Sequence, residues 1–154
     1  MSDNINEKLY WAAEDENYEE AAACIARGAD PAWTNNDGWT ALHAAASSGS
    51  VQVAGLLLDH GWDKDARTTY KGWRPLHWAA GAGRVEVIRL LAERGAEINC
   101  QDDVQDTPLH EAARSGKTAA VKLLISLGAD TTIKNRKGQT AEDVLTDEDT
   151  RSVF

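Results

Sequence analysis

The chain repeats itself with a period of 33 or 34 residues, and that period restricts its fold more than any other feature. The stretch Gly38-Trp-Thr-Ala-Leu-His-Ala-Ala-Ala46 returns as Gly72-Trp-Arg-Pro-Leu-His-Trp-Ala-Ala80, then as Gln105-Asp-Thr-Pro-Leu-His-Glu-Ala-Ala113. His43, His77 and His110 are thereby spaced by 34 and 33. A second landmark keeps the same rhythm: Gly28-Ala-Asp30, Gly61-Trp-Asp63, Gly95-Ala-Glu97 and Gly128-Ala-Asp130. Two independent landmarks on one period are the mark of a stacked array, each unit being one supersecondary element.

Each unit reads as two short helices. Thr40, Thr107 and Thr140 stand where a hydroxyl can cap the free amides of a first turn. Pro75 and Pro108 follow at the position where a missing amide costs little. Gly49, Gly83 and Gly116 end the first helix in a left-handed turn. The second helix carries the bulk: Val51, Val53, Leu56 and Leu57, then Val85, Val87, Leu90 and Leu91, then Val121, Leu123 and Leu124. Such a pair cannot bury its apolar side alone, so the pairs must stack. The 25 alanines belong to this scheme, since small side chains let layers approach while leucines fill the gaps between them. Truncating Leu57 or Leu91 to Ala is expected to cost about 2–5 kcal/mol.

With Thr107-Pro-Leu-His-Glu-Ala-Ala113 and Leu124-Ile-Ser-Leu-Gly-Ala-Asp130 in view, the chain resembles the ankyrin-repeat family over nearly its whole length. The resemblance implies an all-α repeat solenoid of helix-turn-helix units joined by β-hairpin or loop connections. It places an N-terminal cap repeat at 2–34, internal repeats at 35–68, 69–101 and 102–134, and an incomplete C-terminal cap repeat at 135–154, in a single domain. The first unit departs from the pattern, with Leu9, Tyr10, Ala12 and Ala13 in place of the Thr-Pro-Leu-His start. The 62–71 connection is one residue longer than its counterparts. In the last unit Glu142 and Asp143 replace Leu-His, and the chain stops at Phe154 before a second helix is complete. Either a short helix with Val153 and Phe154 seals this end, or the chain is a fragment of a longer protein.

Net charge is -9, from 16 basic and 25 acidic residues, which argues against a nucleic-acid binder or an anionic membrane surface as partner. No apolar run approaches the ~18 residues of a membrane span, and the start lacks the basic and apolar parts of a signal peptide. Cys24 and Cys100 imply no disulfide framework, and the default is a reducing intracellular setting, cytoplasmic or nuclear. Acidity is concentrated at the N-terminus: residues 1–33 carry eight acids against two bases.

Catalytic and metal chemistry find little support, and neither cofactor nor catalytic residue is expected. The three motif histidines lie one per layer, and packed helices are ~8–10 Å apart, too far to share one ion. Each is expected to hydrogen-bond locally and brace its hairpin and helix start. His60 reads as a helix-end residue bound to free carbonyls. Cys24 and Cys100 read as packing residues, and the acid pair Asp102-Asp103 as solvated turn formers.

Ten aromatics divide as six Trp, three Tyr and one Phe, and the repeat register sorts the tryptophans. One column reads Trp39, Trp73, Asp106, Gln139, and a position that accepts Asp and Gln is not an obligatory core site. Two indoles there would stand side by side on the hairpin ridge, where aromatic side chains carry binding energy. A second column reads Trp11, Ala44, Trp78, Glu111, and Glu111 argues for partial exposure of that helix face. Trp33 and Trp62 are expected to pack. The resemblance implies protein binding through hairpin tips and the concave helix face. The candidate surface is Trp39, Tyr70, Trp73 and Trp78, rimmed by Arg67, Lys71, Asp103, Val104, Asp106, Ser47, Ser48 and Arg114, an aromatic centre with a mixed-charge rim. On this reading Trp39→Ala with Trp73→Ala abolishes binding and leaves folding intact. Asn99 occupies the hairpin asparagine that some ankyrin repeats present for β-hydroxylation. The partner is expected to be a protein, and the chain monomeric on its own. An engineered ankyrin scaffold with an aromatic binding patch, and an inhibitory or scaffolding domain of a larger signalling protein, are the alternative readings.

Overall fold

The computed structural model describes residues 4–154. Four antiparallel helix pairs follow one another along the chain: α1 (Ile5–Glu14) with α2 (Tyr18–Ala26), α3 (Ala41–Ser48) with α4 (Val51–Asp59), α5 (Pro75–Ala82) with α6 (Val85–Glu93), and α7 (Pro108–Arg114) with α8 (Thr118–Ser126). A 3-10 turn at Glu142–Val144 and α9 (Glu148–Arg151) complete the stack. The first helices α1, α3, α5 and α7 form one layer, and the second helices α2, α4, α6 and α8 the other. Backbones approach more closely in the first layer, because its inward positions are Ala44, Ala45, Ala79, Ala80, Ala112 and Ala113, all buried. The array therefore curves with its first-helix side concave.

Helix boundaries follow the cap residues. The Thr40 hydroxyl accepts from the His43 amide at 3.4 Å, and Thr107 accepts likewise from His110 at 3.3 Å. Asn17 and Ser50 cap α2 and α4 in the same way. Gly49 and Gly83 adopt the left-handed conformation at the first-helix ends, and each is overlaid by a long side chain of the next unit, Arg84 and Lys117 respectively.

The core runs in columns. Leu42, Leu76 and Leu109 from first helices and Leu57, Leu91 and Leu124 from second helices are fully buried. The paired apolar positions of the second helices are not equivalent, however: Val53 and Val87 are buried, while Val51 is 37% exposed. At the C-terminal end Val144, Leu145, Val153 and Phe154, on either side of α9, pack on the last layer of the core. No strand occurs among the described residues; the connections are tight turns closed by single ladder bonds rather than regular β-hairpins.

Those turns are built alike. Asn35, Asp102 and Asn135 each donate their amide to the carbonyl four residues on, at Trp39, Asp106 and Gln139. Their side-chain Oδ1 accepts the amide of that same residue in return, at 2.9–3.0 Å. In the longer connection Thr68 takes this part, and its hydroxyl accepts from the Trp73 amide at 3.0 Å. The extra residue lifts Tyr70 outward and sets both Lys71 and Gly72 at positive φ. Neighbouring turns are tied by one backbone bond each: Thr69 to Asp37, Asp103 to Lys71 and Arg136 to Val104, all 2.9 Å.

Candidate functional site

The motif histidines are the braces between layers. The Thr40 amide donates to His43 Nδ1 at 3.0 Å, which leaves the proton on Nε2. Nε2 then donates across the unit boundary to the carbonyls of Ala66 at 2.9 Å and Trp73 at 3.1 Å. His77 reaches the Asp106 carbonyl at 3.0 Å, and His110 that of Gln139 at 2.9 Å. The local bond expected of each histidine is present, but the other end spans to the next unit. Burial lowers the pKa of His43 to about 4, against the pull of its two carbonyl acceptors, and lowers that of His77 as well. His60 Nδ1 meets the Leu56 carbonyl at 2.8 Å, at the end of α4.

The tryptophans converge in the middle of the array. Trp78, from α5, lies between Trp39 and Trp73, with ring centroids 4.1 Å and 4.4 Å away. Trp39 and Trp73 thus do not stand side by side; the Trp78 indole separates them. Trp73 is 9% exposed and its Nε1 donates to Asp102 Oδ2 at 2.8 Å, so it supports the patch from below. Trp39 and Trp78 are half-buried, and Trp78 Nε1 is shielded with no acceptor among the described residues. Tyr70 is 71% exposed, and Lys71 Nζ stands 5.7 Å over its ring and 4.7 Å over the Trp73 ring. Trp62 is buried, and Trp33 packs edge-on to Tyr10 at 6.4 Å. Trp11 is 55% exposed at the N-terminal end of the concave side.

Of the rim residues, Arg67 and Asp103 are exposed and pair at 2.9 Å, and Val104 is exposed at the next tip. Ser48 has a structural part, donating to the Ala13 carbonyl at 3.0 Å, and the Ser47 carbonyl accepts from Arg84 Nε at 2.9 Å. Asp106 and Glu111 are corrections to the expectation of exposure, since both are buried. Asp102 is buried too; of the pair Asp102-Asp103 only the second is a solvated turn residue.

The carboxylates of Asp102, Asp106 and Glu111 lie within 4.8 Å of one another. Donors hold both oxygens of each aspartate and Oε1 of Glu111. Asp102 takes the Trp73 indole and two amides, Asp106 takes Asn135 Nδ2 and Arg114, and Glu111 takes Arg114 at 2.6 Å. The cluster is an internal brace from the aromatic patch to the last turn. Burial raises the pKa of Glu111, opposed by the Arg114 charge. Cys100 is buried beside His77, and burial pushes its thiol up to about 12, which keeps it protonated and inert. Asn99 Oδ1 accepts the Asp130 amide at 2.8 Å, a link between units.

Sequence reasoning passed over Arg136, Lys137 and Val144. They line a cleft of about 550 Å³ with Lys71, Val104 and Arg114. The repeat register contained the signal, because the turn bonds put Arg136 at the tip position of Asp103 and Thr69.

The stack of paired helices, the inter-unit histidines and the Gly-ended helices define a helical repeat protein. The profile for ankyrin repeats, in three copies, matches residues 9–102 and 94–144, and the chain belongs to the ankyrin-repeat family. Members of this family are generally protein–protein interaction modules and typically not enzymes. No curated protein sequence matches the chain. No helix among the described residues is long and apolar enough to cross a membrane.

Proposed function

We propose that this chain is a non-enzymatic module that binds a protein partner at the middle of the array, through Tyr70, Trp39 and Trp78 with Lys71 and Val104 beside them. The observation that carries the reading is the exposure of Tyr70, at 71%, on a turn lengthened by one residue, where Lys71 lies over both its ring and that of Trp73, the indole packed against Trp78. Thr68 and Trp73 close the lengthened turn as the shorter turns are closed, and the additional length is spent on the exposed Tyr70 and on Lys71 over the Trp73 ring. Apolar side chains held out by a rigid turn lose little freedom on binding, and aromatic anchors of this kind dominate interface energies. Arg67 and Asp103 form an exposed charged rim of the sort that excludes water from such a centre.

The test is capture of partners on immobilised wild type and on Trp39→Ala/Tyr70→Ala in parallel, with circular dichroism of both. Both side chains project from turns and leave the leucine columns untouched. The double variant is expected to fold and to lose the captured partner, by 2 kcal/mol or more in affinity for one such anchor. Undiminished capture by the folded double variant refutes the aromatic centre.

A further inference from the structure

The cleft beyond the aromatic patch is basic in a protein that is otherwise strongly acidic. Its lining holds four cationic side chains, Lys71, Arg114, Arg136 and Lys137, against the single carboxylate of Asp106. Arg114 is committed to Asp106 and Glu111. Among the described residues the ammonium of Lys71 meets only aromatic faces, and Arg136 and Lys137 are exposed and make no ion pair. Three cations are therefore gathered at one cleft without a carboxylate partner among the described residues, while the chain as a whole carries -9.

Their backbone is fixed. The Arg136 amide donates to the Val104 carbonyl, the Asp103 amide to the Lys71 carbonyl, each at 2.9 Å, and the Lys137 amide to Asn135 Oδ1 at 3.0 Å. Val104, 48% exposed, and Val144 add apolar wall between the charges. A concave site lined by one sign of charge concentrates ligands of the opposite sign.

We propose that this cleft receives a carboxylate-bearing segment of the protein partner, with Asp or Glu side chains on Lys71, Arg136 and Lys137 and an apolar side chain against Val104 and Val144. The assignment rests on the protein-binding reading above and names the chemistry of the segment. Carboxylates fit better than phosphate, because Asp106 lies in the same lining and repels a dianion more than a single charge.

The experiment is selection of a displayed library of random dodecapeptides on wild type and on Arg136→Glu/Lys137→Glu, with Trp39→Ala/Tyr70→Ala alongside. Both reversed residues are exposed, and melting of the variant checks that it folds. The wild-type pool is expected to be rich in Asp and Glu. Individual synthetic peptides from it are expected to bind the charge-reversed protein at least tenfold more weakly, and to weaken with salt. A neutral or basic pool, no enriched pool, or equal binding to the charge-reversed protein overturns the proposal. So does a phosphoserine peptide that binds tenfold more tightly than its Glu counterpart. Concentration-dependent self-association lost in Arg136→Glu/Lys137→Glu also overturns it, since the occupant is then the acidic end of a second copy. Partner capture that depends on Trp39 and Tyr70 but not on Arg136 and Lys137 leaves the module standing and removes only the acidic segment.

Discussion

The indole N–H of Trp73 donates to Asp102 Oδ2 at 2.8 Å, joining the base of one turn to the base of the next. Asp102 Oδ1 is already holding the amides of Val104 and Asp106. The bond therefore couples the aromatic patch to the geometry of the neighbouring tip.

Trp73→Phe keeps most of the packing and leaves a buried carboxylate oxygen without its donor. The expected loss is about 1–3 kcal/mol in unfolding free energy. Trp73→Ala adds a cavity and is expected to cost about 3–5 kcal/mol. Tyr70→Ala, at an exposed tip, stays within about 0.5 kcal/mol. Urea titrations of the three variants check the order. A Trp73→Ala protein as stable as wild type would mean that the indole is a surface group.

Gln105 holds φ at 64°, in the seat that Gly38 and Gly138 occupy in sister turns. A side chain there adopts a conformation that costs about 1–2 kcal/mol relative to the ordinary region. Gln105→Gly keeps the Gln105 amide bond to the Asp102 carbonyl and the Gln101 bond to its own carbonyl. The gain, after the extra chain entropy of glycine, is expected to be about 0.5–1 kcal/mol. A rise in the urea midpoint with an unchanged slope is the result to look for, and a fall refutes the strain.

The array was legible because its signals are local and repeated: the Thr caps at 40 and 107, the Gly stops at 49, 83 and 116, and the leucine columns act within one unit. The burial of Trp73, Asp106 and Glu111 was not legible, because it depends on partners 29 or more residues away or on a network. A column holding Trp, Asp and Gln reads as exposed by residue type. Asp106 is nonetheless buried, since Asn135 and Arg114 satisfy both its oxygens. The ankyrin resemblance supplied the general location of the proposed binding face; the register put Arg136 at a tip, while its gathering with Lys71 and Val104 into one basic cleft needed the turn-to-turn bonds.

Histidine titration gives the stability a definite slope with pH. His43 has a folded pKa of about 4 against an ordinary 6.5, so between those values the unfolded chain binds the proton and the folded one does not. Stability is full above 6.5 and declines as pH falls toward 4, by roughly 3 kcal/mol for a shift of this size. His77 acts in the same direction. The physical cause is burial, which disfavours the charged imidazolium, and protonation would also cost Nδ1 the bond it accepts from the Thr40 amide. Below this window Asp130, Asp143 and Asp147, held under the ordinary carboxylate range by bonds from Thr132, Thr140 and Thr150, lose their contribution in turn. His43→Gln is expected to be less stable at pH 7.5 and to show a flatter decline down to pH 4.5. An equal decline in both proteins would remove His43 as the source.

Glu111 works against that slope. Three carboxylates lie within 4.8 Å in a buried cluster that Arg114 pairs, and burial raises the Glu111 pKa above its ordinary 4.5. A group whose folded pKa is raised contributes its stability fully below the unfolded value and loses it as pH rises through the folded one. Glu111→Gln resembles the protonated acid in shape and hydrogen bonding. The variant is therefore expected to match wild type near pH 4 and to exceed it in stability at pH 7.5, with the gap opening as pH rises between. Urea midpoints for both proteins across that range give the comparison. The opposite sign at pH 7.5 would show that the bond to Arg114 outweighs the crowding of charge, and that the ionised cluster is what holds Asp106 and the last turn in register.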